Sequence, residues 1–408
     1  MTDERLTSVW RSIPAAIWVL GFVSLLMDVS SEMIHALLPV YLVTVLGASA
    51  LTVGVIEGVA EATASITKVF SGALSDRLGE RKWLAATGYG LAAFTKPIFA
   101  LAPSVGWVFT ARFIDRVGKG IRGAPRDALV ADLSPAHLRG ASFGLRQALD
   151  TVGAFLGPLL AIVLMALSSD NFTLVFWVAV VPGLLSFALI AFAVREPQAP
   201  AAVRAVRAPL SIAAMRRLGA AFWMVTAVGG VFTLARFSEA FLILKAQAIG
   251  MPIDLIPAVY VVMNIAYAVA AYPSGALSDR IDRVSVLFIG LAFLFAADLT
   301  LAFAGGVAAV GIGVILWGLH MAFTQGLLSA LIADAAPADL RGTAFGVFNV
   351  VSGVAALAAS VVAGVLWDAF GPTGTFLAGA AFTVATFAGL LALRSRLMTA
   401  RAGPQPSP

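Results

Sequence analysis

Long apolar runs separated by short polar breaks recur along this chain from end to end. Twelve stand out, at about 14–43, 51–71, 83–102, 106–131, 140–167, 172–194, 218–245, 254–274, 284–303, 306–332, 342–366 and 373–394. At ~1.5 Å of helical rise per residue, most can cross ~30 Å of hydrocarbon. The pattern predicts an all-α polytopic membrane protein with twelve transmembrane helices. A cleavable signal peptide is not expected, because the first run carries Asp28 and Glu32 and no small-residue cleavage site follows it.

The polar breaks repeat as well. Gly72-Ala-Leu-Ser-Asp-Arg77 returns as Gly275-Ala-Leu-Ser-Asp-Arg280, and Arg139-Gly-Ala-Ser-Phe-Gly144 returns as Arg341-Gly-Thr-Ala-Phe-Gly346. Both recurrences fall about two hundred residues on, so one six-helix unit has been duplicated. The expected organisation is an N-terminal half over 1–194, a linker over 195–217, a C-terminal half over 218–395 and a tail over 396–408. The linker is rich in Ala, Pro and Arg and has no run long enough to span. Two parallel six-helix halves related by a pseudo-two-fold axis suggest a transporter, with its solute site between the halves near the bilayer midplane. A channel needs no such duplication. An enzyme would show a polar catalytic domain, and none is visible.

Composition supports this. The chain of 408 residues is 60% hydrophobic and 12% charged, against roughly 25% charged in soluble domains. With no cysteine, disulfides and thiolate metal sites are excluded. The net charge of +5 is a topology signal. Most Lys and Arg outside the apolar runs fall in the tails and even-numbered connections, and Lys245 stands at the opposite face. The positive-inside rule then places both termini in the cytoplasm, with the protein a multi-pass component of the cell membrane. Nucleic acid is not an expected partner.

Gly72-Ala-Leu-Ser-Asp76-Arg77-Leu-Gly79-Glu80-Arg81-Lys82-Trp-Leu84 resembles the signature between the second and third helices of the major facilitator superfamily, and Gly275 to Leu287 its weaker second copy. Arg112 resembles the fourth-helix signature, and Gly153-Ala-Phe-Leu-Gly157-Pro158 the fifth-helix signature associated with antiporters. The resemblance covers residues 14–395 and points to a drug or metabolite antiporter. Three departures stand out. Glu80 replaces a basic residue, Arg116 replaces a glycine, and Ala161 and Ile162 replace the closing glycines of the antiporter signature. The resemblance implies a conformational latch of Gly72, Asp76, Arg77, Gly79, Arg81 and Asp132, with Asp76 meeting the start of the eleventh helix near Gly342. Asp279 and Arg280 would form a weaker counterpart. It also implies a bent fifth helix at Gly153, Gly157 and Pro158, where glycine permits close helix contact and proline removes a backbone hydrogen bond.

Charges within the apolar runs mark the candidate chemistry, because each costs ~2.5–3.5 kcal/mol to insert on translocon scales unless it finds a partner or water. Most lie in the first half. Asp28, Glu32 and His35 share one helical stripe. Glu57 and Glu61 share another with Lys68. Arg112, Asp115, Arg116 and Lys119 form a third, and Arg146 sits one turn before Asp150. Arg236 and Glu239 on the seventh segment are spaced to satisfy each other. Lys96 and Asp298 stand at nearly equivalent repeat positions without an evident partner. Arg122, Arg126 and Asp127 read as interface charges. In the family, the first, second, fourth and fifth helices line the cavity, so the resemblance makes these stripes the proton-coupling and substrate residues.

The expected function is a secondary transporter working by alternating access. It would move a small organic solute with protons as the coupling ion, no other cofactor and no resident metal, and efflux is favoured over uptake. The cations favour an amphiphilic or anionic solute. A monomer is expected. The alternative is a divalent-metal transporter using Asp28, Glu32, His35, Glu57 and Glu61 as hard oxygen and imidazole ligands. A non-transporting sensor would carry an added soluble domain, for which linker and tails are too short.

Overall fold

The computed structural model describes residues 12–78, 80–195, 212–278, 280–337 and 340–401. Helices dominate: α1 (Ala15–His35), α2 (Leu38–Thr44), α3 (Ala50–Leu78), α4 (Arg81–Leu101), α5 (Val105–Leu133), α6 (Arg139–Leu167), α7 (Phe172–Ala188), α8 (Ile212–Arg216), α9 (Ala220–Ala235), α10 (Ala240–Ala248), α11 (Ala258–Ser278), α12 (Arg283–Phe303), α13 (Val307–Ala335) and α14 (Arg341–Arg401). No strand occurs among the described residues.

Local chemistry sets the breaks. Pro39 lies in the first turn of α2, where its missing N–H costs nothing, so the first apolar run folds as two helices. Asn171 caps α7 by accepting from the Leu174 amide, and Asp282 caps α12 by accepting from the Ser285 amide. Gly371, at φ 72°, interrupts α14 with Pro372 directly after it. Only glycine enters that region without a Cβ penalty, and this turn separates the two last apolar runs as the sequence predicts.

Among the described residues, nine helical stretches are long and apolar enough to cross a membrane. The difference from the twelve expected is physical. The stretch Arg341–Ala392 counts as one although Gly371 divides it, and α4 and the charge-bearing α5 fall outside the set. The protein is an all-α polytopic membrane protein. Its burial is inverted relative to water-soluble folds. Phe192, Phe303 and Phe370 are largely exposed, while Lys96, Arg112, Asp115 and Arg116 are buried. Such an exterior suits lipid.

The chain divides into two compact units. One comprises residues 1–46, 63–207 and 253–258, and the other 47–62, 208–252 and 259–408. The early part of α3 thus belongs with the second unit, where both carboxylate oxygens of Asp368 accept from the amides of Ala50 and Leu51. Within the first unit, Ile17, Leu20, Val23 and Met27 of α1 pack with Ala85, Tyr89 and Ala92 of α4 and Leu145 of α6. The Ser30 and Ser186 hydroxyls tie α1 to α7 by donating to the Ala179 and Val23 carbonyls.

The duplication is visible in contacts made inside each unit. Arg81 pairs with Asp132, and Arg283 pairs with Asp334 at 2.8 Å. Ser71 donates to the Gly120 carbonyl at 2.9 Å, and Ser274 to the Ala322 carbonyl at 2.8 Å.

Candidate functional site

The first unit contains a network of buried ions. On α5, residues 112, 115 and 116 lie within one turn of each other, and burial leaves them only one another and α1 and α4 as partners. Lys96 of α4 donates to Asp115 Oδ1 at 2.9 Å and to the Ser31 hydroxyl at 3.0 Å. Arg116 Nε lies 3.6 Å from Asp115 Oδ2, and an Arg112 nitrogen lies 4.0 Å from that same oxygen. One carboxylate therefore faces three cations.

Arg116 also reaches α1. Its Nη2 donates to His35 Nε2 at 2.7 Å. Guanidinium has no acceptor, so the imidazole nitrogen must accept. That leaves Nδ1 to carry the ring proton, 3.5 Å from Glu32 Oε1. Lys119 adds a further positive charge acting on Glu32. Around Glu32, His35 and Asp115, the cations Lys96, Arg112, Arg116 and Lys119 thus outnumber the two carboxylates.

A second network lies further along the same helices. Arg126 donates to the Ser24 hydroxyl at 3.2 Å and lies 3.2 Å from Asp127 and 3.8 Å from Asp150. Arg146 lies 3.5 Å from Asp150 and 3.8 Å from Asp127. The Arg122 guanidinium stands 4.8 Å over the Tyr89 ring. The helix spacing that makes this possible comes from the fifth-segment glycines. A Cβ at Gly153 would lie 2.6 Å from the Leu25 carbonyl, and one at Gly157 would lie 2.7 Å from Glu32 Cβ. α6 therefore approaches α1 at the two turns that bear Asp28 and Glu32. Pro158 is buried just beyond, in a helix that continues through it to Leu167.

Several expectations change. Lys96 has a partner, Asp115, on the next helix. Arg126 and Asp127 take part in the second ion network, with Asp127 partly exposed. Arg146 and Asp150 do pair within α6, but Asp150 also lies 3.8 Å from Arg126 of α5. Glu57 and Glu61 fall in the second unit, where Glu61 acts on Arg236, and Arg236 lies 3.9 Å from Glu239. Among the described residues, no group of three His, Asp or Glu side chains is placed to hold a metal ion. Of the latch residues, Arg81 bonds Asp132, a pair that the family resemblance implied. Arg280 is exposed and Gly72 lies against the Ala124 methyl at ordinary contact. Gly79, Asp279 and the side chains of Asp76 and Arg77 lie outside the described residues. Ser24, Ser31 and Tyr89 carried no signal in the sequence, since an isolated hydroxyl in an apolar helix is common.

The second unit replaces ions with rings. At the repeat positions of Lys96, His35 and Asp115 stand Asp298, Phe237 and Trp317. Phe237 packs on Trp317 with centroids 5.5 Å apart, and Trp317 on His320 at 5.8 Å. Asp298 is fully buried beside Gly379 and makes no hydrogen bond among the described residues.

Twelve apolar segments in two repeats, with buried ions in a lipid-facing shell, define a polytopic transporter fold. Residues 20–358 and 237–407 match the sequence pattern of the Major Facilitator Superfamily. The chain is 34% identical to the uncharacterized MFS-type transporter MJ1317 of Methanocaldococcus jannaschii, over 94% of this chain and 95% of that one. It is 31% identical to the multidrug resistance protein MdtH of Photorhabdus laumondii over 35% of each chain. The solved structure of a peptide transporter POT variant with sulfate superposes with a TM-score of 0.78, at 18% identity, covering 95% of this chain and 96% of that one. The chain belongs to the major facilitator superfamily. It is a membrane transporter, not an enzyme.

Proposed function

We propose that this transporter exports a small organic solute bearing a negative charge, by alternating access driven by protons entering the cell. The observation that carries the reading is the imbalance around Asp115: three buried cations, Lys96, Arg112 and Arg116, together with the exposed Lys119, face two carboxylates, Asp115 and Glu32. A solute carboxylate or phosphate would complete that balance, and guanidinium groups bind such anions in a bidentate fork. A proton competing for Glu32 would alter the same balance, which couples the two ligands. The partial likeness to MdtH supports outward movement. The protein is placed in the cytoplasmic membrane as a monomer with both termini inside.

The test is transport in liposomes. Purified protein should dissipate an imposed pH gradient when organic anions from a graded panel are added, and neutral analogues should not. Arg116→Ala should weaken the response more than about tenfold, since truncating one partner of a buried charge pair costs ~2–5 kcal/mol. An equal response to neutral and anionic solutes would sink the reading.

Orientation has its own check. Because the chain has no cysteine, single-cysteine variants report without background. Asp170→Cys should react with an impermeant maleimide in intact cells, and Glu80→Cys only after lysis. The opposite pattern would invert the topology.

A further inference from the structure

Asp368 lies one turn before the Gly371 break, at the C-terminal end of the first stretch of α14. A carboxylate there faces the negative end of its own helix dipole, so its own helix does not favour it. Its partners are on α3. Oδ1 accepts from the Ala50 amide and Oδ2 from the Leu51 amide, both at 3.1 Å. The first amides of a helix have no carbonyl one turn back to bond. Ser49 serves those of Thr52 and Val53, through its hydroxyl and its carbonyl, each at 3.2 Å. The two amides before them depend on Asp368, whose charge meets the positive end of the α3 dipole.

The backbones meet closely beside this carboxylate. A Cβ at Gly364 would lie 2.5 Å from Leu51 Cα and 2.9 Å from the Ala50 carbonyl oxygen. One at Gly54 would overlap the Ser360 carbonyl oxygen, and one at Gly58 would lie 3.0 Å from Leu357 Cα. The two helices therefore run antiparallel in tight contact over 50–58 and 357–368, all within the second unit. The chain enters that unit at Gly47, a turn residue with φ 65°, and α3 leaves it after Ala62.

The far ends of the same helices differ. Carried on at that register, the pairing would set Gly72 opposite Gly342. Among the described residues, an added Cβ at Gly342 meets nothing within 4 Å, and one at Gly72 meets the Ala124 methyl at 3.4 Å. The 29 residues of α3 rise about 43 Å, so its two ends stand at opposite faces of the membrane. One end is shut by a carboxylate and three glycines, while Gly342 stands open at the other.

We propose that Asp368 is a positioning residue for transport: it latches the N-terminal end of α3 to α14, and its release accompanies closure at Gly342. Asp368 is exposed, so water can take over its bonds and those of the two amides when the helices part. Such a contact breaks and reforms at modest cost, as a moving part requires. The inference rests on the alternating-access reading above, but not on its solute or its protons.

Cysteine reporters on the purified full chain in lipid nanodiscs test this, with a small maleimide that reaches both faces. Ala50→Cys reports the latched end, where Ala50 is buried, and Gly342→Cys reports the open end. Asp368→Ala should raise the labelling rate at position 50 about fivefold, the size of a lost helix cap, and lower it at position 342. Asp368→Asn keeps one acceptor and should fall between. Gly364→Leu leaves the carboxylate in place but forces the backbones apart, and should drive both reporters further in the same directions. A protein that is merely loosened would label faster at both ends. Rates that rise together at 50 and 342, a position 50 that does not respond, or a position 342 unmoved even by Gly364→Leu would overturn the proposal. The labelling needs no solute and no pH gradient, so it stands apart from the liposome assay. Opposed shifts at the two ends without anion-driven proton flux would keep the latch and remove the solute reading. Proton flux with no opposed shifts would do the reverse.

Discussion

Asp115→Asn is expected to destabilise the protein by about 3–5 kcal/mol, the cost of stripping one partner from a buried ion pair. Asp115 is the carboxylate shared by Lys96, Arg112 and Arg116, and all four are almost fully buried. Asparagine keeps the shape but cannot offset the charges. The thermal unfolding midpoint of the purified protein should fall steeply, and yield with it. Adding Lys96→Met should restore part of the loss by removing one stranded ammonium. The remainder should persist because both arginines stay. Asp132→Asn provides the contrast: its pair with Arg81 is partly exposed, and exposed pairs contribute about 0–1 kcal/mol. Equal effects at 115 and 132 would show that the interior network does not hold the helices together.

Gly153→Val is expected to be nearly as severe, for a steric reason. The first added carbon would sit 2.6 Å from the Leu25 carbonyl oxygen, which is rigid backbone. The helices must separate, and overpacking of this kind costs about 1–3 kcal/mol. Thermal stability should drop. Gly144 lies on the same helix with nothing within 4 Å of an added Cβ. Gly144→Ala should be neutral or stabilise by about 0.5–1 kcal/mol, since a helical glycine is entropically costly. A Gly153→Val protein as stable as the Gly144→Ala protein would refute the tight α1–α6 contact.

Much of the architecture was legible in one dimension. Segment lengths, the repeated hexapeptide and the glycine-proline punctuation are local signals, and lipid imposes a strict length and polarity rule on every crossing. The break at Gly371 between the last two apolar runs follows from such signals, whereas the Arg81–Asp132 pair was implied by the family resemblance. Intrahelical stripes were legible too, because helical periodicity places residues 28, 32 and 35, or 112, 115 and 116, on a shared face.

The partners across helices were not legible. Lys96 lacked a visible counter-charge because Asp115 lies on the neighbouring helix, and no periodicity links the two. Arg126 and Asp127 read as interface charges because their position near the end of α5 suggested solvent, whereas Ser24 and Asp150 receive Arg126 inside the unit. Glu57 and Glu61 shared a stripe with Lys68, but they fold into the other unit, where Arg236 and Glu239 lie.

The sequence by itself therefore determined the class of protein, its all-α polytopic character, the duplication, and the concentration of buried charge in the first half. Only the tertiary structure decided which charges meet. It divided the first unit's ions into a cation-rich group around Asp115 and an arginine–aspartate group of Arg126, Arg146, Asp127 and Asp150, and it set aromatic rings at the corresponding positions of the second unit. The reason is that hydropathy and periodicity act along one helix. An ion pair in a membrane depends on how closely two helices approach, and here Gly153 and Gly157 decide that distance.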